Sequence, residues 1–216
     1  MESHRSTSRL ILASASPRRR ELLAQFGVPF IVIPSRFAEE SVPYTAADGY
    51  VRQLSAGKAD AVADGYPDHW VLAADTIVVL EDRSLGKPAD PAEAREMMAA
   101  LSGRVHQVYT GFSLRRRRGN RAADATVRTD VRFRELSREE IEWYIQTDEP
   151  YDKAGGYGIQ GLAALFVAEI SGSCSNVVGL PVAEVMTTLI GEGVLRLKPD
   201  GTIETSGGGP GNGGPR

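Results

Sequence analysis

The chain has 216 residues, 42% hydrophobic and 25% charged, with a formal charge of −3. That length suits one large domain or two closely joined lobes with a sizeable core. The acidic balance excludes a global positive field for nucleic acid. No apolar run approaches the roughly 20 residues of a membrane span, and a single cysteine, Cys174, excludes an internal disulfide.

The polar opening Met1 to Ser8 predicts a disordered N-terminus rather than a signal peptide, and with the lone cysteine it predicts a cytoplasmic protein. A strand follows over Arg9–Ala13. Ser14-Ala15-Ser16 forms a tight turn, and Pro17 suits the first position of a helix, where its missing N–H would have no partner. That helix runs to about Phe26 and stops at Gly27. Phe30–Ile33 reads as a second strand, followed by a polar loop holding Glu39 and Glu40. A helix opens at Thr45 with Val51, Leu54, Ala61 and Val62 on its apolar stripe.

Trp70–Leu80 reads as a strand interrupted at Ala73-Ala74-Asp75-Thr76, and Glu81-Asp82-Arg83 as a hairpin turn. Asp90-Pro91-Ala92-Glu93 is a capping box that opens a helix to about Leu101. Val105–Leu114 and Ala125–Phe133 read as long antiparallel strands joined by a basic loop, Arg115–Arg121. Without interleaved aromatic residues, that loop reads as a solvated hairpin tip rather than a nucleic-acid contact. Ser137 caps a helix to about Thr147, Leu162–Ile170 is a further strand, and Pro181–Ile190 is the last helix. The alternation predicts an α/β domain over 9–195 with a disordered Gly-rich tail over 204–216.

Several residues carry candidate chemistry. The free amides after Pro17, the hydroxyls of Ser14 and Ser16 and the guanidinium groups of Arg18 and Arg19 would converge on an anion, most naturally a polyphosphate. Asp75 lies in an apolar strand, where a carboxylate must be paired, hydrogen-bonded or metal-bound. With Glu39 or Glu40 it offers hard oxygen ligands for Mg²⁺ or Mn²⁺. Lys58 and Lys87 add positive charge, and Pro88 holds Lys87 extended. The segment Asp152 to Gly161 matches G-x-G-x-x-G at Gly156, Gly158 and Gly161 but precedes a strand. It is therefore no dinucleotide fingerprint, and Gln160 stands in it as a polar reader. Cys174 reads as a semi-buried small residue, and three scattered histidines argue against a histidine-built zinc site.

Six segments in order resemble the Maf family of nucleoside triphosphate pyrophosphatases. They are Ser14-Ala15-Ser16-Pro17-Arg18-Arg19, Ala74-Asp75-Thr76-Ile77-Val78, Gly86-Lys87-Pro88, Val108-Tyr109-Thr110-Gly111, Asp152 to Gly161, and Val177-Val178-Gly179-Leu180-Pro181. The resemblance implies a two-lobed α/β fold like that of the inosine triphosphate pyrophosphatases, with the nucleotide in a cleft between the lobes. It implies hydrolysis between the α- and β-phosphates, a divalent cation and a homodimer. By the same resemblance Asp75 is the proton acceptor. Glu39, Lys58 and Lys87 are charged catalytic positions, with Glu39 and Asp75 on the metal. Ser14, Arg18 and Arg19 form the phosphate-binding turn, and Arg18, Thr76 and Gln160 bear on base choice. Arginine after the proline and glutamine in the glycine-rich loop resemble the subgroup acting on dTTP and UTP. The subgroup acting on 7-methyl-GTP carries tryptophan and glutamate there. The rival expectations are a non-catalytic nucleotide-binding regulator of cell division and a purine-type (7-methyl-GTP) pyrophosphatase.

Overall fold

The computed structural model describes residues 10–205. Residues 1–9 and 206–216, and the expectations that fall on them, lie outside the described residues. The elements are β1 (Leu10–Leu12), α1 (Pro17–Ala24), β2 (Phe30–Val32), α2 (Ala47–Ala63), β3 (Trp70–Leu80), β4 (Arg83–Leu85), α3 (Pro91–Leu101), β5 (Val105–Arg116), β6 (Arg121–Phe133), α4 (Arg138–Ile145), β7 (Val167–Ser171), α5 (Cys174–Val178), α6 (Val182–Gly191), β8 (Leu195–Leu197) and β9 (Ile203–Thr205). Seven strands form one mixed sheet in the order β2-β1-β3-β5-β6-β7, with β4 also on β3, while β8 and β9 form a separate hairpin. Glu204 and Thr205, expected in the disordered tail, are therefore part of a strand.

β3 is the spine, and it is not interrupted at Ala73–Thr76 as the sequence suggests. β5 pairs with it residue for residue from Val71 against Arg115 to Val79 against Gln107, which carries the small and polar residues through. The break lies beside the strand instead. On its other edge β3 pairs with β1 over Trp70–Leu72 and with β4 over Val78–Leu80. Between those pairings the sheet has a notch.

Side chains of a strand alternate between faces. Trp70, Leu72 and Ala74 join Leu22 and Leu23 of α1 and Val185 and Leu189 of α6 in one core. Val78 and Leu80, on the same face further along, join Met98 and Leu101 of α3 and Ile141 and Tyr144 of α4 in a second core. These are the two lobes. The opposite face, through Val71, Ala73, Ile77 and Val79, lies under Ala59, Val62, Ala63 and Val51 of α2. α2 sits unusually close to β5. A Cβ on Gly111 would lie 2.4 Å from the Val51 carbonyl oxygen.

The expected caps form. Ser16 accepts from the Arg19 amide at 3.4 Å, and Ser137 and Glu140 make a reciprocal capping box. Asp90 accepts from the Glu93 amide at 2.9 Å, while the Glu93 carboxylate closes on the Ala89 amide rather than on that of Asp90.

Three expectations change. The basic segment is a solvated hairpin tip only from Arg117 onward. β5 and β6 run into it, and only 117–120 turn. Arg115 is buried between Asp60 and Asp124, at 3.2 and 2.8 Å. Arg117 pairs with Asp60 and Asp64, and Arg118 with Asp68. Aspartates at four-residue spacing along and beyond the end of α2 present one ladder of charge to the hairpin. Residues Leu162–Phe166 form a 3₁₀ turn ahead of β7, because the Glu149 carboxylate accepts from the Leu162 and Ala163 amides at 2.7 and 3.2 Å. Cys174 is exposed rather than semi-buried.

Candidate active site

The notch opens into a cleft of about 640 Å³ between the two cores. At a notch a ligand can reach both faces of one strand. The side chain of Asp75 points toward α2, and that of its neighbour Thr76 points the other way, toward α1. Both line the cleft.

On the α2 side Lys58 holds the centre. It lies seven residues after Val51, hence on the same buried stripe of the helix. Its Nζ is 2.5 Å from Asp75 Oδ1 and 2.8 Å from Glu39 Oε1. The Lys58 and Asp75 side chains are 12% and 11% exposed, so this is a largely desolvated pair, whereas Glu39 is open to solvent at 54%. Such a lysine is tolerable because two carboxylates receive it. Glu39, not Glu40, is the acid that lines the cleft.

On the α1 side the turn after β1 folds on itself. Ser14 Oγ accepts from the Ser16 amide at 3.2 Å and from Arg19 Nη1 at 3.4 Å. Arg19 Nη2 donates to Thr76 Oγ1 at 3.1 Å, and its Nε donates to the Gly179 carbonyl at 2.8 Å. Burial pulls the Arg19 pKa down from its ordinary value, Asp75 opposes that shift and Arg18 adds to it. Arg18 spans the cleft to Asp152 at 3.2 Å.

The glycine-rich segment forms the remaining wall with Gln160 and Lys87. It is pinned beneath by Tyr157, whose hydroxyl lies 2.7 Å from His106 Nε2. Burial lowers the His106 pKa to about 4, so this imidazole is neutral near pH 7. Gly155, at φ +72°, lies against Val78, where a Cβ would approach to 2.9 Å.

Ser14, Ser16, Arg18, Arg19, Glu39, Lys58, Asp75, Thr76, Lys87 and Gln160 all line this one cleft. Sequence reasoning gave no role to Lys153 or Tyr50, which line it too. Lys153 donates to the Glu149 carbonyl at 2.9 Å and pairs with Asp152. Burial, then the nearby Asp75 charge, raises the Tyr50 pKa. The signal for Lys153 was its place in the glycine-rich segment. Tyr50, one residue before Val51 on an amphipathic helix, carried none.

Among the described residues no group of three histidine, cysteine or acidic side chains could hold a metal ion unaided. The donor set nevertheless fits a hard cation. Two carboxylates converge on the point that Lys58 Nζ occupies, and Mg²⁺ typically takes one or two carboxylates together with substrate phosphates.

A cleft that sets cationic side chains round paired carboxylates has the chemistry to receive a polyanion and to hold a base beside it. A family model described as Maf-like protein matches residues 9–191, and the chain belongs to that family. It is 51% identical over 194 residues to a dTTP/UTP pyrophosphatase of Syntrophus aciditrophicus (strain SB), covering 90% of this chain and 95% of the relative. A dTTP/UTP pyrophosphatase of Symbiobacterium thermophilum is 52% identical over 180 residues, covering 83% of this chain and 92% of the relative. Among solved structures, the Staphylococcus aureus Ham1 protein superposes with a TM-score of 0.52 at 13% identity, over 86% of this chain and 100% of that one. That likeness shows the fold, a mixed α/β sheet with flanking helices.

Proposed function

We propose that this protein is a nucleoside triphosphate pyrophosphatase that hydrolyses the α–β phosphate bond of dTTP and UTP, releasing the monophosphate and pyrophosphate. The observation that carries the reading is the Lys58 ammonium held between Asp75 and Glu39 at the centre of a cleft lined by Arg18, Arg19 and Lys87. The names of the close relatives support the substrate class.

In this reading Arg19, anchored by Thr76 and Gly179, and the Arg18 amide at the start of α1 bind phosphate oxygens. Lys58 and Lys87 offset the negative charge that grows on departing pyrophosphate. Asp75 accepts the proton of a water that attacks the α-phosphorus, as the bond from that phosphorus to the bridging oxygen breaks. Lys58 holds the Asp75 carboxylate aimed until then. Glu39 and Asp75 would hold Mg²⁺ or Mn²⁺, which when bound supplies further charge neutralisation on the phosphates. Lys58 already lies between those carboxylates, so a bound cation would compete with it for them.

Gln160 on the glycine-rich wall and Arg18, which reaches that wall through Asp152, would read the base. Gln160 can donate and accept, as uracil and thymine require, whereas a glutamate there only accepts. Replacing Gln160→Glu is expected to lower kcat/KM for UTP relative to 7-methyl-GTP by about tenfold, the scale of one mismatched polar contact. Unchanged ratios would remove Gln160 from base choice. The homodimer and the cytoplasmic setting belong to the same proposal. Exposed Trp143 and Leu165 supply apolar surface for the first, and the lone cysteine supports the second.

The direct test incubates UTP, dTTP and 7-methyl-GTP with Mg²⁺ or Mn²⁺ and identifies the products. UMP and TMP with pyrophosphate are expected. Release of orthophosphate would contradict the bond assigned here. Binding without turnover under either metal would favour the regulator reading.

A further inference from the structure

Beneath Arg19 runs a chain of hydroxyls that the reaction does not use directly. Arg19 Nη2 meets Thr76 Oγ1 at 3.1 Å, Thr76 Oγ1 meets Thr110 Oγ1 at 2.9 Å, and Thr110 Oγ1 meets the Asn176 main-chain carbonyl at 3.1 Å. The ends set its direction. A guanidinium only donates and a carbonyl only accepts, while each threonine has one proton to give. Thr110 therefore gives its proton to Asn176, Thr76 gives its own to Thr110, and the remaining lone pairs of Thr76 face Arg19. Such head-to-tail chains polarise and strengthen each bond.

The far end of the chain is rigid. Thr110 and Asn176 are fully buried. The Asn176 side chain donates to the Val108 carbonyl and to Thr129 Oγ1, both at 3.0 Å, which ties α5 to β5 and β6. Three residues later the same segment presents the Gly179 carbonyl that receives Arg19 Nε at 2.8 Å. Gly179 has φ +120°, and a Cβ there would sit 3.4 Å from Thr76 Oγ1 and 3.6 Å from Arg19 Nε. Two of the Arg19 nitrogens are thus held by one buried device rooted in Asn176.

We propose that Thr76, Thr110 and Asn176 are positioning residues that fix the Arg19 guanidinium for polyphosphate. The inference rests on the phosphate-binding role of Arg19 given above. Thr110→Val removes the middle hydroxyl at constant shape. It is expected to weaken binding of inorganic pyrophosphate, measured by calorimetry, about tenfold, as for a hydrogen bond supporting a charged group. KM for UTP should rise in parallel, with a smaller change in kcat and an unchanged ratio of UTP to 7-methyl-GTP use. Thr110→Ser should restore binding. Thr76→Val, which breaks the chain at the cleft wall where folding is less at stake, should reproduce the loss.

A double-mutant cycle separates positioning from general damage. In an Arg19→Gln background, Thr110→Val should change pyrophosphate binding less than twofold. Wild-type affinity in both valine variants, or a loss undiminished without Arg19, overturns the inference while leaving the pyrophosphatase reading intact. A wild-type cleft with no affinity for pyrophosphate overturns both.

Discussion

Asp75→Asn is expected to lower turnover of UTP by about 10²–10⁴-fold, the usual contribution of a positioned general base, with little loss of stability. The amide keeps the size of the carboxylate and can still accept from Lys58. That lysine also retains Glu39 at 2.8 Å, so no buried cation is stranded. Affinity for pyrophosphate should stay equal or tighten, because a negative charge facing the phosphates has gone. Steady-state kinetics, calorimetry with pyrophosphate and a thermal melt together check this. A variant with wild-type turnover would remove Asp75 from the proton transfer. One with low turnover and an equally low melting point would recast it as a structural residue.

Gly111→Ala should do the opposite, damaging the fold and the chemistry together. The new methyl would lie 2.4 Å from Val51 O and 2.7 Å from the Arg52 amide nitrogen, which are backbone atoms that cannot swing aside. α2 must lift off β5. Overpacking of this kind costs about 3 kcal/mol, which at 2–4 °C per kcal/mol for a chain of this size lowers Tm by about 6–12 °C. Because α2 carries Lys58 across from Asp75, activity should fall even at temperatures where the variant is folded. Gly49→Ala is the control. It lies in the first turn of the same helix with no atom within 4 Å of the added methyl, and it should leave Tm level or raise it. Equal melts for the two variants would show that the close approach of α2 is not what sets its position.

Much of this was legible in the order of residues. Pro17 after two serines announced a helix start, and the residues of that first turn line the cleft. Asp75, an acid in an apolar strand, demanded a partner and found Lys58. Lys58 itself was visible only as a lone cation, because its burial depends on which stripe of α2 meets the sheet. What misled were features that only pairing decides. Ala73 to Thr76 look weak as a strand, yet β5 supports them along one whole edge. Arg115, Arg117 and Arg118 look like parts of a solvated run, yet aspartates far upstream, on and just beyond α2, receive them, with Asp124 across the hairpin as a second partner of Arg115. Asn176 carried no signal, and Thr110 only its place in the Val108 to Gly111 segment, since neutral hydrogen-bond chains leave no periodicity or charge pattern behind.

The missing stretch of pairing along β3 also bears on how the molecule moves. Over those few residues β3 has one strand neighbour, β5, instead of two, so the sheet is braced less there than where β1 or β4 pairs with it. A triphosphate gripped by Arg19 on one flank and Lys87 on the other would act as a removable suture across that compliant point, stiffening the enzyme while the substrate is aboard and letting it relax when pyrophosphate departs.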